Sequence, residues 1–359
     1  MRPVLQGPKP GHSLPDMMMT LDNGFEEVVG LVADAEASAV RLKAATGYVE
    51  RARGPVDAGT LALWGLAGQS GHEVLIGHPQ MERGHIRLVS LAGVDAGVMR
   101  EGGQAWDCGG IFDVNMRALP DIEALQRAFV SQGFVAHAPI TDWDFGALAV
   151  REVVNSDADD LCIALMERVR PALQGYDGLS GPASWVFNST QVVPDFDVAR
   201  AFYRDVLGWL PVQETDGPAA QASGANCMGF PVGLAPDIAM RIGIYHPRGR
   251  MEGSVEIIQF NVRGLDFSAG EPPARGWASL RFAVSDVQNF AERAHAGGCR
   301  VIGPVETEWR PHGRHRAVAA ITPWGARLEA FERLPFSSSG KATCAMDEII
   351  PPADQEEPR

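Results

Sequence analysis

Two glutamates interrupt apolar stretches that read as strands, Glu256 in Val255-Glu-Ile-Ile-Gln-Phe260 and Glu329 in Arg327-Leu-Glu-Ala-Phe331. A carboxyl in a partly apolar setting has its pKa lifted toward neutrality, where it can take up and return protons. Alternate residues of a strand share a face, so Glu329 stands beside Arg327 and Phe331, and Ser279 beside Trp277 and Arg281. The segment from Trp309 to Arg316 carries His312 and His315 among Arg310, Arg314 and Arg316, which would repel a cation. It reads as a lid or anion-binding rim, with His315 a proton carrier near neutral pH. His246 follows Tyr245 at a strand end and is expected to reach the same site.

Other chemistries lack their residues. There is no GxGxxG after a strand, no GxxxxGK[ST] and no GxSxG, so nucleotide cradles and a serine elbow are unsupported. The five cysteines are scattered without a CxxC pair, which fits a reduced, cytoplasmic protein without a zinc knuckle or disulfide framework. A net charge of −14 with no basic stripe argues against nucleic acid as a partner. No apolar run reaches the roughly 18 residues of a membrane helix, and the first fifteen residues lack the apolar core of a signal peptide. The 359 residues, 45% of them apolar, suffice for about two domains.

The elements that must carry these residues recur along the chain. Phe187 to Val193 reads as a strand, Pro194-Asp195 as its stop, and Phe196 to Leu207 as a helix with Phe196, Ala199, Phe202, Tyr203 and Val206 on one face. The frame returns with the strand Ala278 to Val284 and the helix Val287 to Ala296, stopped at Gly297-Gly298. Looser copies start at Val28 to Val32, with a helix to Ala45, and at Ile111 to Val114, with a helix from Pro120 to Ser131. Three strand-like runs follow each helix, giving four βαβββ units, and units that leave a sheet face wet should pair. Residues 1–16 read as a disordered arm and 337–359 as a disordered acidic tail. A Gly- and Pro-rich linker at 170–182 divides the rest into an N-terminal two-module domain, 17–169, and a C-terminal one, 183–336.

The run from Val193 to Trp209, Val-Pro-Asp-Phe-Asp-Val-Ala-Arg-Ala-Phe-Tyr-Arg-Asp-Val-Leu-Gly-Trp, closely resembles the first helix of vicinal oxygen chelate proteins, the glyoxalase I, bleomycin-resistance and extradiol-dioxygenase superfamily. Val284 to Gly298 and Thr322-Pro-Trp-Gly-Ala-Arg-Leu-Glu-Ala-Phe331 resemble its second module. The resemblance implies an α+β fold of four βαβββ modules paired into two cup-shaped mixed-sheet domains, with chemistry on the concave face. It also implies ligand positions on the first and last strands of each module. These fall at Asn188, Glu256, Ser279 and Glu329 in the C-terminal half, and at Glu27, Arg87, Gly109 and Ala164 in the N-terminal half. The second set cannot chelate a cation, so the N-terminal cup is expected to be structural.

Both imidazoles of a two-His iron site are missing, and Asn and Ser hold Fe(II) or Zn(II) poorly. No cofactor is therefore expected. The alternative is a hard cation such as Mg or Mn on Asn188, Glu256, Ser279 and Glu329. The implied adjacency of first and last strands brings Arg281 and Arg327 together as anchors for a substrate carboxylate, with Glu256 and Glu329 on opposite walls.

The expected function is Glu-mediated proton transfer, an isomerisation, epimerisation or lyase reaction on a small oxygenated acid or ketone. Glu329 and Glu256, with His315, would act as acid and base. Asn188, Ser279, Arg281, Arg327, Trp277, Phe331 and His246 would hold an anionic small-molecule substrate. A metal-free binding or resistance protein and a dioxygenase with a rearranged ligand set stay open. So does the choice between monomer and homodimer.

Overall fold

The computed structural model describes residues 23–144 and 146–334. The arm 1–16 and the tail 337–359 lie outside the described residues.

Four modules follow one another. The first runs β1 (Phe25–Leu31), α1 (Ala35–Thr46), β2 (Val49–Pro55), α2 (Ala58–Leu63), β3 (Gly71–Gly77), β4 (His85–Leu91). The second is β5 (Asp113–Ala118), α3 (Ile122–Ser131), β6 (Val135–Ala136), β7 (Thr141–Asp144), β8 (Ala149–Ser156), β9 (Cys162–Arg170). The third is β10 (Ala183–Val192), α4 (Phe196–Ala201), β11 (Leu210–Pro218), β12 (Ala239–His246), β13 (Ser254–Phe260). The fourth is β14 (Gly276–Ala283), α5 (Val287–Ala296), β15 (Arg300–Trp309), β16 (Gly313–Ile321), β17 (Arg327–Arg333).

The strand-to-helix turn is built the same way each time. Asp34, Asp121, Asp195 and Asp286 each cap the main helix of their module, accepting from the backbone N–H three residues on. That contact satisfies one of the orphan donors of a helix start. Helix α1 ends at Gly47, whose φ of 76° is the left-handed conformation that glycine adopts without a Cβ clash. The α4 helix runs on as a π-turn through Phe202–Val206, so the expected helix to Leu207 is present with a wider last turn.

The modules do not pair within halves. One sheet has the order β15-β16-β17-β14-β1-β4-β3-β2, joining the fourth module to the first. The other has the order β11-β12-β13-β10-β5-β9-β8-β6, joining the third to the second. The joints are the antiparallel pairs β1 with β14 and β10 with β5. The expectation of an N-terminal and a C-terminal cup is thus corrected: each cup takes one module from either side of the 170–182 connection.

The packing follows from which face is apolar. Val28, Ile86, Val114, Leu165, Ile257, Leu280 and Leu328 join residues of α1, α3, α4 and α5 in one buried cluster. These four helices therefore lie between the two sheets, and the concave faces look away from each other. Separate clusters occupy the two concave faces. Among the described residues no helix is long and apolar enough to cross a membrane.

Candidate functional site

The concave face of the first sheet holds most of the residues singled out in the sequence, and it is filled. Arg281 on β14 stands in register between Glu27 on β1 and Glu329 on β17. It donates to Glu329 Oε2 at 2.8 Å and to Glu27 Oε1 at 2.7 Å, with its guanidinium 3.7 Å over the Trp309 ring. Arg87 bridges Glu27 and Glu73. Helix α2 plugs the cup: Trp64 Nε1 donates to Glu329 Oε1 at 2.7 Å, and Trp309 Nε1 to Thr60 Oγ1 at 2.7 Å. Arg327 donates to Leu63 O and pairs with Glu271. Burial alone would raise the Glu27 carboxyl, but Arg87 and Arg281 hold it well below the usual range.

The roles expected of these residues are therefore corrected. Glu329, Arg281 and Ser279 are all 0% exposed. The two arginines are spent on carboxylates of the chain, so they anchor no substrate anion. The Ser279 hydroxyl is buried without a partner among the described residues. Phe331 and His315 pack with Trp309, and burial pushes the His315 imidazole down to about 4, too low for a proton carrier at neutral pH. Trp277 reaches into the core between the sheets, where its Nε1 donates to Cys162 O at 2.7 Å. His246 is buried against Gly24, whose missing Cβ would fall 2.8 Å from its Cδ2. Burial holds the His246 imidazole down at about 3.

Replacing Trp64 by Phe removes the donor to a fully buried carboxylate while keeping the ring. It should lower stability by about 1–3 kcal/mol, the cost of one unsatisfied buried polar group, read from the midpoint of a urea titration.

The second concave face differs at one decisive position. Thr190 on β10 stands in register between Asp113 on β5 and Glu256 on β13, as Arg281 stands between Glu27 and Glu329. A hydroxyl in place of a guanidinium leaves the two carboxyls without a counter-charge between them. Their backbones are two strand spacings apart, about 10 Å. Glu152 on β8 lies close enough to raise both its neighbours. Burial, then the proximity of Asp113 and Glu152, lifts Glu256 to about 8, and burial lifts Asp113 to about 7. Glu152 is also raised by burial, and accepts from Cys227 Sγ at 3.4 Å.

Neutral polar groups complete this cup. Asn115 Nδ2 donates to Asp113 Oδ1, Asn188 Oδ1 and Thr190 Oγ1 at 3.2, 2.9 and 3.1 Å. Asn188 Nδ2 donates to Ser254 Oγ at 2.7 Å. The loop from β11 to β12 covers the face, with Phe230 stacked on Trp106 at 4.5 Å and edge-on to Phe260 at 5.3 Å. Asp113 is 2% exposed, whereas Glu256 and Glu152 keep partial access to solvent. Glu256 and Asn188 stand on neighbouring strands of this cup, whereas Ser279 and Glu329 are in the other.

Asp113, Asn115 and Glu152 were missed. The signal was present in Asp113-Val-Asn-Met-Arg117, where polar residues alternate with apolar ones on a strand. Aligning the second module by its family frame placed its first-strand position at Gly109, four residues before β5 begins. That shift hid the aspartate.

The raised carboxyls give this site a pH signature. An acid whose folded pKa exceeds its unfolded one loses stabilising effect as pH rises between the two values, since only the unfolded chain ionises there. The Glu256→Gln variant should therefore gain stability relative to wild type from about pH 4.5 to about pH 8, measured by denaturant titration at several pH values. A constant difference across that range would contradict it.

The metal implied by the resemblance does not fit either face. In the first cup both carboxylates at ligand positions are neutralised by Arg281. In the second, the oxygen of Asn188 faces the amide of Asn115, and Ala164 offers no ligand atom. Among the described residues no group of three or more His, Cys, Asp or Glu side chains is disposed to hold a metal ion.

Comparison with known proteins bears on the fold. The family model described as the Glyoxalase/Bleomycin resistance protein/Dioxygenase superfamily matches residues 186–330. No curated protein sequence matches the chain. The structure is similar to glyoxalase I from Zea mays, with 13% identity, 86% of this chain and 92% of that one covered, and a TM-score of 0.58. A variant of the same enzyme gives 14%, 89%, 95% and 0.59. A putative dioxygenase from Bacillus subtilis gives 11%, 88%, 87% and 0.52. At these identities the likeness is one of fold.

Proposed function

We propose, for a chain whose residues 186–330 match the model of the Glyoxalase/Bleomycin resistance protein/Dioxygenase superfamily, that the cup of the second and third modules catalyses proton transfer on a small oxygenated acid or ketone. The observation that carries this reading is the pair Asp113 and Glu256 flanking Thr190, with protonation steps near 7 and 8. Catalytic acids and bases work best when their pKa lies near the working pH.

Between the two steps the pair holds one proton, and we assign the base to Asp113 and the acid to Glu256. Asp113 takes a proton from the carbon beside a carbonyl, and the C–H electron pair moves to form the enol as Glu256 protonates the carbonyl oxygen. Return of a proton to the same carbon, with the enol proton going back to Glu256, gives epimerisation. Where that carbon carries a hydroxyl, protonation of the former carbonyl carbon as the hydroxyl proton leaves to Glu256 gives isomerisation. Asn115 and Asn188 orient oxygens of the substrate, and Glu152 raises both acids by its charge. The two carboxyls interact, so the steps belong to the pair.

A second reading, binding without turnover, is favoured by the aromatic cover of Phe230, Trp106 and Phe260. Incubation of the protein in D2O with a panel of small ketones and 2-hydroxy acids, followed by proton NMR, distinguishes the two. Enzyme-dependent loss of a C–H resonance supports proton transfer. Line broadening of a ligand that never exchanges its proton supports binding alone.

A further inference from the structure

The second cup has an end that the acid/base reading does not use. Arg117 continues the alternation of Asp113 and Asn115 on β5, so its backbone lies about 13 Å along the strand from Asp113. It is 2% exposed, with its guanidinium 4.0 Å over the Phe187 ring and 5.8 Å over that of Tyr176. Arg168 on β9 is half-buried and lies close enough to Arg117 that, after burial itself, this neighbouring charge lowers its pKa.

Neither guanidinium is matched by an ion pair among the described residues. Glu252 is the carboxylate nearby, and it accepts from Tyr176 Oη at 3.4 Å. Arg117 Nη1 faces the thioether of Met166 at 3.7 Å, and the guanidinium also meets the Tyr176 hydroxyl. Two guanidiniums against one carboxylate leave positive charge in a half-buried place.

The unpartnered groups at this end share a chemical sense. Arg117 Nε, Arg168 Nε and Trp185 Nε1 are buried without a hydrogen-bond partner among the described residues. Trp185 stacks on Tyr176 at 4.9 Å and packs in one cluster with Phe187 and Met166. All three are donors. Buried polar groups are seldom left unmade, and paired guanidiniums match planar or tetrahedral oxyanions. The missing partner is therefore an acceptor carrying negative charge.

We propose that Arg117, Arg168 and Trp185 form an oxyanion site at one end of the second cup, taking the carboxylate or phosphate of the ligand whose other end reaches Asp113 and Glu256. As a statement about the substrate this rests on the proton-transfer reading; as a statement about anion binding it is tested separately. The site returns the anionic anchor to the protein, on arginines other than Arg281 and Arg327.

The experiment is calorimetric titration of the full chain with inorganic phosphate and, separately, with benzoate at constant ionic strength. Wild type should bind at least one of them saturably, and the anion bound tells phosphate from carboxylate. Arg168→Met should weaken that binding about tenfold or more, the loss of a charge-assisted contact. Arg168 is used because Arg117 is too buried for its removal to be read cleanly. Glu256→Gln should bind the anion as wild type does. Absence of saturable binding of both anions, or equal affinity in Arg168→Met, overturns the site. If anion binding behaves as expected but Glu256→Gln still exchanges protons at the wild-type rate, the acid/base reading fails alone.

Discussion

Replacing Glu329 by Gln should destabilise the chain by about 3–5 kcal/mol, the loss seen when one member of a buried ion pair is removed. Arg281 is 0% exposed and divides its charge between Glu27 and Glu329. The amide would leave that guanidinium half-compensated. Glutamine keeps the shape and can still accept from Trp64, so the loss isolates the charge. Proton exchange in the other cup should persist, because Glu329 stands on a different sheet.

A urea titration of Glu329→Gln reads the first effect, and exchange in D2O the second. A further variant checks the cause. Removing both members, with Arg281→Met and Glu329→Leu together, should recover much of the loss, since apolar packing often equals a buried pair. Unchanged stability in Glu329→Gln, or loss of exchange with stability intact, would return Glu329 to the catalytic role that its strand position suggests.

The largest effect on activity is expected at the other pair. Asp113→Asn and Glu256→Gln should each lower proton exchange by about 10²-fold or more, the usual contribution of a positioned acid or base. Neither change should unfold the protein, because both carboxyls are already protonated over part of the neutral range and the amides are near-isosteric. Wild-type kcat/KM should follow a bell with limbs near pH 7 and pH 8. The acid limb should vanish from residual activity in Asp113→Asn, and the alkaline limb in Glu256→Gln. Loss of rate with both limbs intact would mean that the carboxyls shape the cup without moving protons.

The two cups show how one substitution at the centre of a sheet separates structure from chemistry. In each, two carboxyls flank a central strand position. With Arg281 there, the carboxylates are paired, plugged by α2 and fixed as charge. With Thr190 there, no guanidinium stands between them, and burial with neighbouring carboxyls raises both.

Local chemistry made much of this legible in the amino-acid order. The capping aspartates, the helix faces from Phe196 and Val287 and the alternation around Glu256 and Glu329 are contacts within a few residues. They determined the four βαβββ units, whereas the concave placement of both glutamates came with the family resemblance. Tertiary structure alone decided which modules share a sheet, because the β1–β14 and β10–β5 joints connect strands far apart in sequence and similar in pattern. That choice put Arg281 between two carboxylates and Asp113 opposite Thr190. A side chain's protonation depends on the charges brought within a few ångströms of it, and those neighbours came from distant segments.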